Sequence, residues 1–319
     1  MSEPVFIAGD WGNTNLRLYL CSVNSQSDSP EILASIAGPG CIAIDNNFED
    51  IFFDLVADWL KQHGPVPVIL SGAVGSNIGW HTVPYLACPV RSEQIAVGTT
   101  VLNVRGLNIW ILSGLQTQTA LGTPDVMRGE ELQLLGWMLS VNQRSEASEQ
   151  IVVLPGTHNK WVQVKDGQIE TFVTALTGEL YSLLEQHSIL VTQPMADDFS
   201  EVFFMQGVAL AKTLETGQLI NALFAVRSRQ IAGELTAEAA ASYLSGLLVG
   251  SDIIGSMALL NQINEESPEV VIVGSQILSR AYQLALDSLG VEAQICDPTQ
   301  IAVTGYQAVY QSLNRDRQP

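Results

Sequence analysis

Short apolar stretches separated by polar turns open the chain, a pattern typical of β-strands joined by hairpins. The first apolar run is Val5 to Ala8, the second is the alternating segment Leu16 to Cys21, and the third is Ile32 to Ala37. The turn between the first two runs, Gly9 to Asn15, is rich in Gly and Asn and favours an antiparallel connection. We therefore predict an antiparallel meander, followed by a helix from Phe48 to Lys61.

The same pattern returns in the second half of the chain. Ile151 to Leu154 is a short apolar strand, Pro155 to Asn159 is the turn after it, and a second strand follows. A hairpin turn at Asp166-Gly167 leads into a third strand, Gln168 to Val173. Because the Gly-Asn-Thr-Asn and Gly-Thr-His-Asn turns occupy the same place in two similar units, the repeat predicts two related lobes rather than a solenoid.

The predicted lobes span residues 1–141 and 142–299, with the boundary in the polar segment 142–150. A last helix, about 300–319, is expected to pack back on the first lobe. Helices are predicted over 129–140, 178–187, 203–214, 237–260, 279–289 and 300–313, and further strands over 66–70 and 270–273. Strands mixed with helices in this way predict an α/β fold with mixed sheets.

The charge balance narrows the classes of ligand. Asp and Glu outnumber Lys and Arg by 33 to 14, which gives a formal net charge of −19. Such a surface repels phosphate backbones and anionic lipids, so we expect no nucleic-acid and no membrane partner. The four cysteines are scattered without a CxxC pair, which is typical of reduced thiols. With no signal-like N-terminus and no apolar run long enough to cross a bilayer, we expect a cytoplasmic protein.

The common phosphate-binding signatures are absent from the sequence: there is no GxxxxGK[ST] loop, no GxGxxG after the first strand and no HExxH. A tight turn whose backbone N–H groups point inward can bind an anion instead. A single turn of this composition more often only connects the two strands of a hairpin. Two such turns, one from each lobe, could hold a polyphosphate from both sides. Asp10, beside the first turn, could hold Mg²⁺ through water or merely cap the turn.

Three segments resemble the motifs of the sugar kinase, Hsp70 and actin superfamily. Asp10 to Arg17 resembles its first phosphate motif, Pro155 to Val162 its second, and Val271 to Gln283 its adenosine motif. Four further segments resemble the 2-dehydro-3-deoxygalactonokinase family, and these are Ser71 to Trp80, Val126 to Glu131, Leu176 to Leu180 and Ser245 to Gly250. The resemblance covers nearly the whole chain. It departs from the family pattern at Asn13, where Ser is expected, and at Ala73, where Met is common, and the residue at the position of Asn159 varies in the family.

The resemblance implies two ribonuclease H-like lobes of the actin-type ATPase kind, with mixed β-sheets flanked by helices and a ligand cleft between them. It also implies transfer of the ATP γ-phosphoryl group to the 6-hydroxyl of 2-dehydro-3-deoxy-D-galactonate, with Mg²⁺, in galactonate catabolism. Such a transfer depends on positioning, on the metal and on a group that takes the hydroxyl proton.

The resemblance also assigns the site residues. Glu130, after Gly129 at the start of a helix, is the expected catalytic base, with Asp10 as the other catalytic and metal-binding carboxylate. Glu131 stays an alternative base, since neighbours on a helix point about 100° apart, and a Glu in a first helical turn can serve the helix dipole alone. The expected ATP-binding residues are Gly12, Asn13, Thr14, Asn15, Gly156, Thr157, His158, Gly274, Ser275 and Ser279. The expected substrate-binding residues are Arg17, Ser71, Gly72, Gly75, Asn77, Trp80, Arg128 and Lys160.

Several of these assignments have plainer alternatives. The substrate is a 2-keto acid, so we expect Arg17 or Arg128 to bind its carboxylate, yet Arg17 could also form a surface ion pair. Lys160 could meet the transferred phosphate or be solvated, and the Gly-rich loop could be structural. Two other functions compete with the predicted galactonokinase activity. One is a kinase of another sugar acid, such as 2-dehydro-3-deoxygluconate, and the other is a non-enzymatic sensor of ATP or carbohydrate. The oligomeric state stays open, with a homodimer as one option.

Overall fold

The computed structural model describes residues 4–23, 30–141, 149–192, 199–260 and 269–315. The predicted lobe boundary, 142–150, lies mostly outside the described residues. The strands are β1 (Val5–Trp11), β2 (Asn15–Ser22), β3 (Glu31–Pro39), β4 (Val68–Ser71), β5 (Leu86–Ala87), β6 (Val90–Arg91), β7 (Thr99–Val104), β8 (Leu107–Leu112), β9 (Leu115–Gln118), β10 (Pro124–Met127), β11 (Glu149–Leu154), β12 (Asn159–Lys165), β13 (Gln168–Ala175), β14 (Glu269–Val273) and β15 (Ala293–Cys296).

Helices fill most of the rest of the described chain. They are α1 (Phe48–His63), α2 (Ser92–Val97), α3 (Glu130–Val141), α4 (Thr177–His187), α5 (Glu201–Ala211), α6 (Leu219–Leu223), α7 (Ala225–Ile231), α8 (Ala237–Leu259), α9 (Gln276–Ser288) and α10 (Pro298–Arg315). The predicted meanders and the long helices are confirmed within a few residues at each end. The sequence analysis made no prediction for the small strands and helix between residues 81 and 127.

Two mixed sheets repeat one topology. The first has the order β3-β2-β1-β4-β8-β7 and the second β15-β14-β11-β12-β13-β6. In each, an antiparallel meander is extended by two parallel strands, β4 and β8 in the first and β14 and β15 in the second. This confirms the predicted mixed α/β fold, because the repeated turns follow the equivalent strands β1 and β11.

One strand crosses between the two halves of the sequence. β6 belongs to the first half, yet it pairs with β13 at the edge of the second sheet. Next to it, a small sheet of order β10-β9-β5 contacts β13 through a 3.0 Å hydrogen bond between the hydroxyls of Thr117 and Thr171. The two sheets are therefore joined by strand pairing and side-chain bonds.

Glycines allow two pairs of helices to pack at backbone contact. A Cβ on Gly136 of α3 would lie 1.9 Å from the carbonyl oxygen of Ile301 on α10. A Cβ on Gly246 of α8 would lie 1.9 Å from the carbonyl oxygen of Phe204 on α5. Since real Cβ atoms cannot come that close, these crossings require glycine, and the first of them fixes α10 against α3 beside the site described below.

The longest helix corrects one expectation. We expected no apolar run able to cross a bilayer, but α8 is long and apolar enough to do so by length and composition alone. In the structure 67% of its most apolar 18-residue window is buried inside the protein. Its residues Val249, Ile253 and Met257 pack in the core against the second sheet, and Leu244 and Leu248 pack among the neighbouring helices. A core helix accounts for this composition.

Candidate active site

A cavity of about 300 Å³ opens where β1, β2, α3 and the start of α10 meet. The ionisable side chains of Asp10, Arg17, Arg128 and Glu130 line it, and so do the hydroxyl groups of Ser71, Tyr19, Thr299 and Tyr306. Five of these, Asp10, Arg17, Ser71, Arg128 and Glu130, are site residues predicted from sequence in segments far apart in the chain. The fold brings them together in one cavity.

Asp10 is the central carboxylate of this cavity. It ends β1 beside Arg17 in the antiparallel register of β1 and β2, and beside Ser71 in the parallel register of β1 and β4. Its side chain stays accessible to water from the cavity, although protein atoms surround it on most sides. Burial raises the pKa of Asp10, the Arg17 guanidinium lowers it, and the Glu130 carboxylate raises it again. A cation placed at Asp10 would therefore be bound favourably.

Glu130 and Glu131 have different environments. Glu130 lines the cavity, where its Oε2 accepts a hydrogen bond of 3.2 Å from the backbone N–H of Arg128. Glu131 is fully buried, and its Oε2 accepts a 2.5 Å bond from the backbone N–H of Gly129. Burial, reinforced by the Glu130 charge, raises the pKa of Glu131 to about 8. Of the two candidate bases, Glu130 is the one that a ligand in the cavity could touch.

The two arginines also differ. Arg128 donates to the carbonyl oxygen of Val83 at 2.6 Å and to that of Leu112 at 3.4 Å, and its guanidinium lies over the Tyr85 ring at 4.2 Å. Arg17 is exposed, and in the described part of the chain it makes no hydrogen bond or ion pair through its side chain. Sequence analysis ranked the two equally as partners of a carboxylate. Arg17 therefore has more guanidinium N–H donors available to a ligand in the cavity than Arg128 has.

The first phosphate turn is supported from behind by residues that the sequence analysis did not single out. Gly12 donates to the Asn15 carbonyl at 2.9 Å, which closes the turn, and the side chains of Asn13, Thr14 and Asn15 are exposed. Cys41 donates its backbone N–H to the Gly12 carbonyl at 3.0 Å. A Cβ on Gly40 would lie 2.3–2.4 Å from the turn backbone. The Pro39-Gly40 segment is the signal that could have indicated this close approach.

The second phosphate turn is supported by α4. Glu179 donates its backbone N–H to the Thr157 carbonyl at 2.9 Å, and its carboxylate pairs with the His158 ring. A Cβ on Gly178 would lie 2.1 Å from the Gly156 carbonyl oxygen. This contact gives a physical reason for the Leu-Thr-Gly-Glu-Leu segment. Thr157 and His158 stay exposed on the outer side of the turn.

The remaining nucleotide residues lie at the end of the second sheet. Gly274 and Ser275 follow β14 and come directly before α9. Ser279, one turn further, is fully buried, and its Oγ has no hydrogen-bond partner in the described residues. Its Oγ lies next to Gly274, so Ser279 supports the Gly274-Ser275 turn from inside the protein and does not present a group to solvent.

Lys160 is neither solvated nor open to the cavity. It is 5% exposed, and its Nζ donates to the Thr174 hydroxyl at 3.0 Å. Thr174 in turn donates through its hydroxyl and its backbone N–H to Asp125 of β10, at 2.8 and 2.7 Å. Lys160 thus belongs to a bonded chain that ties the second sheet to the small sheet.

The Gly-rich loop after β4 has both buried and exposed members. Ser71 is buried and bonded to Tyr306, while Gly72 and Gly75 pack against the backbone of Trp11 and the guanidinium of Arg128. Two further predicted residues lie beyond them: Asn77 is exposed, and Trp80 packs edge-on against Trp11 with ring centroids 6.2 Å apart. The loop therefore forms the support behind the cavity wall, with its exposed tip at Asn77.

The chain is similar to known proteins over nearly its whole length. A family model described as 2-keto-3-deoxy-galactonokinase matches residues 10–309. A 2-dehydro-3-deoxygalactonokinase of Escherichia coli (strain K12) is 33% identical over 314 residues, which is 97% of each chain. A Rhizobium meliloti (strain 1021) protein named for the same activity is 32% identical over 97% of each chain.

A solved structure gives the same answer for the fold. A crystal structure of a Sinorhizobium meliloti protein, assigned as a 2-dehydro-3-deoxygalactonokinase, superposes with a TM-score of 0.81. The two chains are 29% identical, and the superposition covers 97% of this chain and 99% of that one. The superposition over nearly the whole chain and the family match over residues 10–309 agree. The chain therefore belongs to the 2-keto-3-deoxy-galactonokinase family.

Proposed function

We propose that the chain transfers the γ-phosphoryl group of ATP to the 6-hydroxyl of 2-dehydro-3-deoxy-D-galactonate, giving 2-dehydro-3-deoxy-6-phosphogalactonate and ADP. The observation that carries the proposal is the convergence of Asp10, Arg17 and Glu130 on one cavity, in a chain that matches the family over residues 10–309. The relatives named for this activity are similar over 97% of the chain. The reaction belongs to galactonate catabolism in the cytoplasm.

Glu130 is the proposed base. Its carboxylate faces the cavity and is steadied by the Arg128 backbone N–H. There it takes the proton of the sugar hydroxyl as the hydroxyl oxygen forms a bond to the γ-phosphorus and the bond from that phosphorus to ADP breaks. Since Glu131 is buried and bonded to Gly129, it is not the group that moves this proton.

Arg17 is the proposed partner of the substrate carboxylate. A planar guanidinium binds a carboxylate through two parallel hydrogen bonds, and Arg17 has its donors available in the cavity. Arg128 also lines the cavity and is held there by its bonds to the carbonyl groups of Val83 and Leu112. From the Gly-rich loop, Ser71 lines the cavity, whereas Asn77 and Trp80 lie outside its lining.

ATP is proposed to lie between the two turns. Their backbone N–H groups and exposed hydroxyl or amide side chains hold the phosphates, and Gly274 and Ser275 flank the nucleoside. Mg²⁺ fits this arrangement, because it prefers one or two carboxylates together with phosphate oxygens and water. In the described residues Asp10 is not part of any cluster of three potential ligands, so it would hold the ion with help from the nucleotide. The bound ion would neutralise charge on the transferred phosphoryl group.

We infer that the lobes 1–141 and 142–299, together with the last helix, close on the two substrates. Closure of this kind excludes water and suppresses ATP hydrolysis without transfer. The pairing of β6 with β13 and the Lys160–Thr174–Asp125 chain lie at the junction of the sheets. These contacts would keep the two lobes aligned with each other during closure.

The test is a coupled ADP-release assay with Mg-ATP and each of two epimers, 2-dehydro-3-deoxygalactonate and 2-dehydro-3-deoxygluconate. Wild type, Glu130→Gln and Glu131→Gln are compared. We expect turnover on the galactonate, a loss of roughly a hundredfold or more in Glu130→Gln, as for a removed general base, and turnover retained in Glu131→Gln, whose amide oxygen can still accept from Gly129.

Other outcomes would reassign the protein. A preference for the gluconate epimer would keep the mechanism and change the substrate. Nucleotide binding without transfer to either sugar acid would contradict the proposal and favour a sensor of ATP or carbohydrate. Full activity of Glu130→Gln would remove Glu130 from the role of base.

A further inference from the structure

The second phosphate turn is tied to the protein interior by one amide. Asn159, the last residue of the turn, is 2% exposed. Its Oδ1 accepts a 2.7 Å hydrogen bond from the backbone N–H of Gly156, which closes the turn on itself. Its Nδ2 points the other way and donates to Oδ2 of Asp252 at 2.7 Å and to the Tyr282 hydroxyl. The conformation of the turn therefore depends on what holds the Asn159 side chain.

Asp252 holds it. This residue lies on α8, is 7% exposed and does not line the cavity. Four neutral donors converge on its two oxygens. Oδ2 accepts from Asn159 and from the Tyr282 hydroxyl, and Oδ1 accepts from the Trp161 indole N–H at 3.0 Å and from the Ser256 hydroxyl at 2.9 Å.

The donor set uses the full acceptor capacity of a carboxylate. Two oxygens with two lone pairs each accept four hydrogen bonds, and the donors come from β12, α8 and α9. An amide at position 252 would offer one acceptor oxygen and would place an N–H₂ group against donors. A chain that needed only to fill this space could use an apolar residue, because a buried carboxylate is costly unless it is hydrogen-bonded.

The turn is supported on its other side as well. The close contact of Gly178 with the Gly156 carbonyl and the bond from Glu179 to Thr157 hold it from outside. The Asn159–Asp252 pair holds it from inside. Backbone N–H groups bind a phosphate well only when they are fixed before it arrives.

We propose that Asp252 is the positioning residue of the nucleotide site: through the side-chain amide of Asn159 it fixes the second phosphate turn in the shape that binds the phosphates of ATP. The inference rests on the proposed function, which places nucleotide phosphates at this turn. Asp252 touches no substrate and acts through Asn159.

The experiment measures binding of Mg-ADP and of adenosine to the full-length chain by calorimetry, for wild type and Asp252→Asn. We expect the dissociation constant for ADP to rise roughly tenfold or more, which corresponds to the loss of about one charge-assisted hydrogen bond. The dissociation constant for adenosine should change less than about threefold. In turnover assays the KM for ATP should rise and the KM for the sugar acid should stay. A merely structural role would lower the thermal midpoint and leave the ratio of the two affinities unchanged, and that result would overturn the inference.

Ser251→Ala is the matched control. Ser251 precedes Asp252 on the same helix, and among the described residues its hydroxyl donates to the Leu247 carbonyl at 2.8 Å, away from the turn, so this variant should bind ADP as wild type does. If Asp252→Asn does not fold by circular dichroism, Asn159→Ala takes its place, because it cuts the link and leaves Asp252 three of its donors. Wild-type affinity for ADP in Asn159→Ala would refute the positioning role.

The assay separates this inference from the proposed function. A wild-type chain that binds ADP but phosphorylates neither sugar acid would refute the function alone, since the comparison of ADP with adenosine still decides the role of Asp252. A wild-type chain that binds no ADP would overturn the inference, because the turn would then hold no nucleotide phosphate.

Discussion

The hydroxyl groups of Ser71 and Tyr306 share a 2.8 Å hydrogen bond across 235 positions of sequence. Ser71 ends β4 beside Asp10, and Tyr306 comes from the last helix, α10. Both residues are almost fully buried and both border the cavity. The end of the chain thus completes the wall next to the central carboxylate of the site.

Tyr306→Phe should destabilise the protein while keeping its fold. The substitution preserves the ring and leaves the buried Ser71 hydroxyl without its partner, at a cost of about 1–2 kcal/mol in the free energy of unfolding. Urea or thermal unfolding measures it. Tyr310→Phe on the same helix is the control: its ring stacks on Phe6 at 4.8 Å, and the stack survives the change. Equal stability of both variants would contradict a role for the Ser71 bond.

Gly136→Ala and Gly255→Ala should have opposite effects. A Cβ at Gly136 meets the Ile301 carbonyl oxygen at 1.9 Å, so α10 must move, at about 1–3 kcal/mol. Gly255 lies exposed on α8 with nothing within 4 Å of a Cβ, so alanine there should stabilise by about 1 kcal/mol. Thermal unfolding of the two variants gives the comparison. A Gly136→Ala variant as stable as wild type would show that the crossing of α3 and α10 can relax.

Glu131→Gln should remove a pH dependence of stability. Burial raises the pKa of Glu131 to about 8 in the folded protein, above its ordinary value of 4.5. The proton is therefore bound more tightly in the folded state, and this contribution to stability is present below pH 4.5 and lost as the pH rises to about 8. The loss amounts to about 1.4 kcal/mol for each pH unit in that window.

The measurement is the free energy of unfolding from pH 5 to pH 9 for wild type and Glu131→Gln, without ligands. The difference between them should shift in favour of the Gln variant as the pH rises, and level off above about pH 8. A difference that does not change with pH would mean that Glu131 is not protonated in the folded protein at neutral pH.

Arg17→Gln and Arg128→Gln should separate binding from stability. Loss of Arg17 removes a charged partner of the substrate carboxylate, worth about 1.5–3 kcal/mol, so the KM for the sugar acid should rise roughly ten- to a hundredfold with little change in thermal midpoint. Arg128→Gln should lower the thermal midpoint, since it releases the carbonyls of Val83 and Leu112. The reverse pattern would exchange the roles of the two arginines.

Local chemistry explains which predictions from sequence were confirmed. The two meanders were predictable because strand alternation and Gly-Asn turns are determined by neighbours in the chain. The long helices followed from apolar periodicity in the same way. The two-residue strands β5 and β6 were not predicted, because they depend on the distant strands β9 and β13 for their hydrogen bonds. The hairpin of β7 and β8 is local and was missed.

The sequence by itself determined the repeated strand-turn-strand units and the family to which the motifs point. Only the tertiary structure decided that Glu130 faces the cavity while Glu131 is buried, that β6 joins the second sheet, and that Asp252 receives the Asn159 amide. The physical reason is the same in each case. Turns and periodicity are set by residues close in sequence, whereas the direction of a side chain and its hydrogen-bond partners are set by packing against segments far along the chain.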